Sequence, residues 1–242
     1  MDTVHILCTA STLLALVDAV HYAVVMTFEQ SGSGPAEARR RRPRGAVREG
    51  LIAAGLELAR AGGPDAVVLR EATQMVGVVP NAAYRHFANR DELLAAVCFA
   101  AMGELSARMA AGVTRVSGPY GDARAARDRL SAIGDAYLGF SRDEPGLFAT
   151  AFAVPHQHSY GVPGGGTGPD RLPLDHLRAA LDELVAAGIL DDQRRAGIEY
   201  PIWSLVHGLA VLTGRGPLRD LPESARLDLE KRIAMFTEQA LA

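Results

Sequence analysis

The chain has 242 residues, a formal net charge of -3, 48% hydrophobic residues and only 6% aromatics. Ala, Leu and Arg abound while Val, Ile and Thr together are too sparse to suggest a large β-sheet, which favours an all-α protein with ample material for a core. Two cysteines, Cys8 and Cys98, cannot build a disulfide framework, no CxxC or Cys/His spacing suggests zinc, and a reducing, cytoplasmic setting fits.

In chain order, residues 4–28 come first, rich enough in Val, Leu and Ala to invite a signal-peptide or membrane reading. The details oppose both. No Lys or Arg precedes the run, Asp2 sits where a signal would carry positive charge, and Asp18 and His21 interrupt it. The unbroken stretch is far short of the ~20 residues a spanning helix needs, so no membrane is expected among the partners. Another reading starts translation at Met26, leaving a polar, Arg-tipped arm that runs to Arg44.

From Gly45 to about Ala61, Ile52, Leu56 and Ala59 recur at helical spacing until Gly62-Gly63-Pro64-Asp65 breaks the pattern. A short second helix is expected over Leu69–Val76. Gly77 then supplies a tight turn, and Pro80 opens a third helix ending near Phe87. Asn89-Arg90-Asp91 opens a long fourth helix whose apolar face is Leu94, Val97, Ala101, Leu105 and Met109. Further helices are expected through Leu130–Phe140, from Pro145 through Phe152, through Leu177–Leu184, and through Trp203–Leu212 with Pro201 beginning or kinking it. A last one runs from about Pro222 to Leu241 with Leu229, Ile233 and Phe236 as its stripe. Residues 153–173, with four prolines and five glycines, are expected to form a loop. The total is about nine helices and no sheet.

Two short helices joined by a Gly-containing turn make a helix-turn-helix, whose second member can lie in the major groove of DNA. If Ala83 and Phe87 face the core, Asn81, Ala82, Arg85 and His86 point outward with Tyr84 at the edge. Asn can pair with adenine, Arg can read guanine, and Ala can touch the thymine methyl, whereas Tyr84, His86 and Arg90 suit phosphates. Charge agrees: residues 37–92 carry ten arginines against seven acids, while residues 93–242 carry fifteen basic and eighteen acidic residues.

The segment Arg48–Leu94, above all Gly77-Val78, Ala83-Tyr84-Arg85-His86-Phe87 and Asn89-Arg90-Asp91-Glu92-Leu93-Leu94, closely resembles the DNA-binding domain of the TetR family of regulators. That resemblance implies Arg70, Asn81 and Ala82 as base-reaching positions and Tyr84, His86 and Arg90 as backbone contacts; Arg44 belongs to the arm beside them. The chain departs from the pattern at Val68 and Val79, where the family usually has a hydroxyl that caps a helix or touches phosphate; losing such a cap costs ~1 kcal/mol. Ala72-Thr73 also leaves a lighter core than the usual pair.

Trp203-Ser204-Leu205-Val206-His207-Gly208, with Asp143-Glu144-Pro145-Gly146-Leu147-Phe148, resembles one C-terminal subgroup of the same family. It implies a ligand cavity among the middle helices, with Tyr137, Phe140, Phe148, Phe152, Trp203 and His207 as candidate contacts, and a homodimer formed through the last two helices. The expected organisation is therefore an N-terminal extension over 1–44, a three-helix DNA-binding domain over 45–92, and a larger helical ligand-binding and dimerisation domain over 93–242.

The expected function is a repressor, bound to a near-palindromic double-stranded operator and released by an unidentified small-molecule effector. The alternative is a ligand-binding or scaffold protein of the same fold that has lost DNA binding. No GxSxG, HExxH, Walker or GxGxxG pattern points to an enzyme, and no cofactor is expected. His156 and His158, two apart without a third ligand, are not read as a metal site.

Overall fold

In the computed structural model, residues 45–153 and 172–241 are described; they form ten α-helices and, among the described residues, no strand. The apolar stretch 4–28, Met26, Arg44, His156 and His158 lie outside them. The helices are α1 (Ala46–Gly62), α2 (Leu69–Val76), α3 (Pro80–Tyr84), α4 (Arg90–Thr114) and α5 (Ala123–Asp143). They continue with α6 (Pro145–Ala151), α7 (Pro173–Ala186), α8 (Asp192–Arg195), α9 (Glu199–Gly214) and α10 (Glu223–Leu241). One 3-10 turn, Pro64–Ala66, follows α1.

Local chemistry sets most of these boundaries. At the end of α1, Gly63 turns away and returns its amide to the Ala59 carbonyl at 2.7 Å. Gly77 closes α2 at φ 69°, a left-handed geometry that L side chains reach only at a cost, and its amide bonds the Thr73 and Gln74 carbonyls. Prolines at the first positions of α3, α6 and α7 lose no helical hydrogen bond, because amides there have no partner within the helix. Asn89 caps α4 by accepting the Glu92 amide at 2.9 Å, and Asp122 caps α5 by accepting the Ala125 amide at 2.8 Å. Pro201 begins α9 rather than kinking it, since it falls in that helix's first turn.

Three expectations need correction. The third helix stops at Tyr84, although the Ala83 carbonyl still accepts the amides of His86 and Phe87 at 2.9 and 3.0 Å, so the chain stays coiled enough to bury Phe87. The helix α8 was not anticipated, because four residues are too few to show an apolar period. Leu229 and Ile233 pack on the core as expected, but Phe236 is 62% exposed.

The core runs through α4. This helix is long and apolar enough to cross a membrane by length and composition, yet it buries Leu93, Leu94, Val97, Ala101, Met102, Leu105 and Met109 inside the protein. Around it pack α1, α5, α6 and α7. Gly55 of α1 sits so close to Val97 that a Cβ there would overlap the valine methyl. A second apolar cluster joins α7 to α9 and the end of α10 through Leu177, Leu181, Ile202 and Leu241.

Candidate nucleic-acid interface and ligand cavity

Helices α2 and α3 pack on α1 and on each other, α1 packs on α4, and α3 is fixed by two buried side chains. Ala83 is fully buried and Phe87 is 2% exposed, with the Arg48 guanidinium 5.2 Å above the Phe87 ring. Asn81, Tyr84, Arg85 and His86 are exposed, Ala82 is half-buried, and Tyr84 shows 58% of its surface. Arg70, at the start of α2, is exposed as well. One short rod thus carries a donor-acceptor amide, a guanidinium, an imidazole and a phenol on its outer side, the equipment for base edges and phosphates.

Arg90 is placed differently from its neighbours. Its Nε donates to the Val67 carbonyl at 2.9 Å and its Nη2 to the Pro64 carbonyl at 2.7 Å, so the guanidinium ties α4 to the turn before α2. The Glu92 amide is taken by Asn89. Val68 and Val79 stand at the N-caps of α2 and α3 and provide no capping hydrogen bond. In the lighter core, Ala72 is fully buried and the Thr73 hydroxyl is satisfied by the Leu69 carbonyl at 2.6 Å.

In the body, five of the six candidate ligand contacts meet in one ring cluster. Tyr137 of α5 stands edge-on to Phe148 at 5.5 Å, and the His207 ring lies 4.7 Å from Phe152 and 6.0 Å from Trp203. The Tyr137 hydroxyl lies 2.7 Å from His207 Nδ1 and accepts from Trp203 Nε1 at 3.3 Å. Burial lowers the His207 pKa, which favours the neutral imidazole, whose Nδ1 can accept a hydrogen bond from the phenol. Phe140, one turn on, is buried in the core outside this ring group.

A cavity of about 350 Å³ opens beside the rings, between α5, α7, α9 and α10. Of the six expected contacts, only Tyr137 and Trp203 line it. Its other walls are aliphatic, including Leu130, Ile133, Leu177 and Ile202, and Met109 of α4 reaches it from below the head. Sequence reading missed Asp135 and Glu230, which also line it. They belong to separate helices, and neither lies in a recognisable pattern.

Head and body meet through α6. Gly146 rests against the last turn of α1, where a Cβ would overlap the Ala59 carbonyl oxygen and come within 2.7 Å of the Arg60 carbonyl oxygen. Beside this seat, Arg60 pairs with Glu104 of α4 at 2.6 Å, Glu57 at 2.6 Å and Glu144 at 3.4 Å. The helix that touches α1 therefore also delivers Phe148, and just beyond its end Phe152, to the ring cluster.

A three-helix reading head carried on a helical body with an internal cavity defines a helix-turn-helix DNA-binding protein with a small-molecule-binding architecture. Residues 51–97 match the model of bacterial regulatory proteins of the tetR family, and residues 130–236 match that of the tetracyclin repressor-like C-terminal domain. The chain belongs to the TetR family of transcriptional regulators, DNA-binding proteins rather than enzymes.

Solved structures agree on the fold. A Rhodococcus sp. RHA1 protein of unknown function is 23% identical with a TM-score of 0.64, over 85% of this chain and 100% of that one. A tetR-family transcriptional regulator from Streptomyces coelicolor is 20% identical with a TM-score of 0.51, over 79% and 78% of the two chains. FadR from Bacillus subtilis, in complex with stearoyl-CoA, is 14% identical with a TM-score of 0.50, over 80% and 99%. No curated protein matches the chain by sequence.

Proposed function

We propose that this regulator is a homodimeric repressor that leaves a near-palindromic operator when a small apolar effector enters its body. The observation that carries the reading is α3: Ala83 and Phe87 anchor it, Asn81, Tyr84, Arg85 and His86 are left exposed, and Ala82 is half-buried beside them. In this reading Asn81, Ala82, Arg85 and Arg70 meet base edges, and Tyr84 and His86 hold phosphates. Arg90 acts indirectly, by bracing the head through the Pro64 and Val67 carbonyls.

Dimerisation is assigned to α9 and α10, where Val211, Leu212, Leu227, Met235 and Phe236 are exposed. A Cβ on Gly208 would meet nothing within 4 Å, so a partner helix could come close there. Two such copies would set two α3 helices about 34–36 Å apart on successive major grooves. The effector site is assigned to the 350 Å³ cavity, within the ~300–1,000 Å³ typical of small-molecule sites. FadR's complex with stearoyl-CoA supports the idea that this fold can house a ligand with a long acyl chain.

Ligand entry would be felt by the head along two routes, through Met109 on α4 and through Tyr137 and Trp203 to the α6 seat on α1. An effector that favours one separation of the reading heads by ~1–3 kcal/mol would change operator affinity about 5- to 150-fold.

The test is operator binding by the wild type and by Arg85→Ala and Tyr84→Ala, using the DNA flanking the gene across a range of salt. Loss of binding in the variants and a steep fall with rising salt are expected. Unchanged binding by both variants would reject the placement of α3. A scaffold that no longer binds DNA would show no salt-dependent retention of that fragment at all.

A further inference from the structure

The cavity's shape and charge narrow the effector's chemistry. It is lined by α5, α7, α9 and α10, and α10 is tied to the rest of the body at two points. At one, Glu230 pairs with Arg142 at 2.6 Å; at the other, the Arg194 guanidinium donates to the Ala240 carbonyl at 2.6 Å. Between these ties the walls are aliphatic, as Leu130, Ile133, Leu174 and Leu177 describe.

The slot's charged lining is Arg127, Asp135, Glu230, Lys231 and Glu238. Arg142 is committed to Glu230, and Arg127 turns back toward the Ala123 carbonyl of its own helix at 3.4 Å. Asp135 has no hydrogen bond or ion pair among the described residues; Arg127, Arg142 and Lys231 all lie beyond ion-pair range of it. Burial and the nearby Glu230 both raise its pKa, against a smaller opposing pull from Arg142. A carboxylate at the exposed edge of an aliphatic cavity, with no ion-pair partner of its own, gains most from a ligand that brings a positive head and an apolar tail. An anionic head would instead meet a lining in which Asp135, Glu230 and Glu238 outnumber Arg127 and Lys231.

We propose that the effector is a hydrophobic cation, whose apolar part fills the slot and whose protonated amine pairs with Asp135. This rests on the cavity being the effector site, and the experiment separates the two claims. Trp203 is the chain's single tryptophan and lines the slot, so its fluorescence reports occupancy directly. The full chain is titrated at neutral pH with decylamine, 1-decanol and decanoate, which share a ten-carbon tail and differ in head charge.

Decylamine is expected to bind about tenfold tighter than decanol, the order of a charge-assisted hydrogen bond, and decanoate more weakly than decanol. In Asp135→Asn the amine should lose its advantage and fall to the alcohol's affinity, and a continued Trp203 response to decanol reports an intact slot. Equal binding of all three, tightest binding of decanoate, or an amine preference that survives Asp135→Asn would each overturn the cationic assignment and leave the cavity reading standing. No fluorescence response to any of the three would overturn both.

Discussion

The reading head and the body solve opposite packing problems. In the head, two buried side chains suffice to orient α3, and Asn81, Tyr84, Arg85 and His86 are left exposed. The body instead surrounds an unfilled volume, with walls drawn from five helices and an aromatic cluster at its flank. A surface that reads DNA needs only a rigid support and exposed polar groups, so short-range sequence can specify it. A cavity is a shortage of packing, and it exists only once distant helices have docked.

The largest expected effect breaks the head and spares the body. Replacing Arg85 with Ala should cost about 1–3 kcal/mol of operator affinity and relax discrimination at one base position, whereas Tyr84→Ala should weaken all sequences alike. Fluorescence anisotropy with single-base operator variants distinguishes the two, and Trp203-detected ligand binding should be unchanged in both.

Next comes the joint between the regions. A methyl group at position 146 has no room against the Ala59 and Arg60 carbonyls, so Gly146→Ala should cost about 1–3 kcal/mol and loosen α6 from α1. Thermal unfolding reads the loss. If α6 transmits the effector's signal, the surviving folded protein should still bind DNA but release it less completely with ligand.

The valine caps sharpen the comparison from the side of the head. Val79 caps α3 without a hydrogen bond, so Val79→Ser should add about 1 kcal/mol of stability and tighten DNA binding, with the slot unaffected. Calorimetry and anisotropy on the same sample check both parts.

The smallest effects are the pH dependences of the body. Burial lowers the His207 pKa in the folded state, so its contribution is present above the ordinary histidine value of ~6.5 and is lost as pH falls through the lower folded value. Protonation also ends the acceptance of the Tyr137 hydroxyl by Nδ1. Melting curves across pH 5–8 should therefore slope less for His207→Gln than for wild type. Asp135 has the opposite sign: its raised pKa makes the carboxylate a stability cost once pH rises through the folded value. Because the group is exposed on one side, Asp135→Asn should gain at most about 1 kcal/mol at neutral pH, about 2–4 °C of Tm, and nothing below the carboxylate range.

The head was legible because its signals are local. Gly77, Pro80, Ala83 and Phe87 lie within eleven residues and fix a turn, a helix start and two anchors without reference to the rest of the chain. The inward turn of Arg90 was not legible. Its partners, the Pro64 and Val67 carbonyls, lie more than twenty residues back and depend on how α4 docks. In the body, five candidate aromatics did come together, but the open space formed beside them rather than around them.

Composition, breaker residues and helical periodicity were enough to determine an all-α chain, its helix-turn-helix and the outward side of α3, because each depends on neighbours within a few turns. The slot, the Asp135–Glu230 pair on its wall and the seat of Gly146 on α1 were decided only by tertiary structure. They join residues roughly ninety positions apart, and no short window of sequence records how two helices that far apart will face each other.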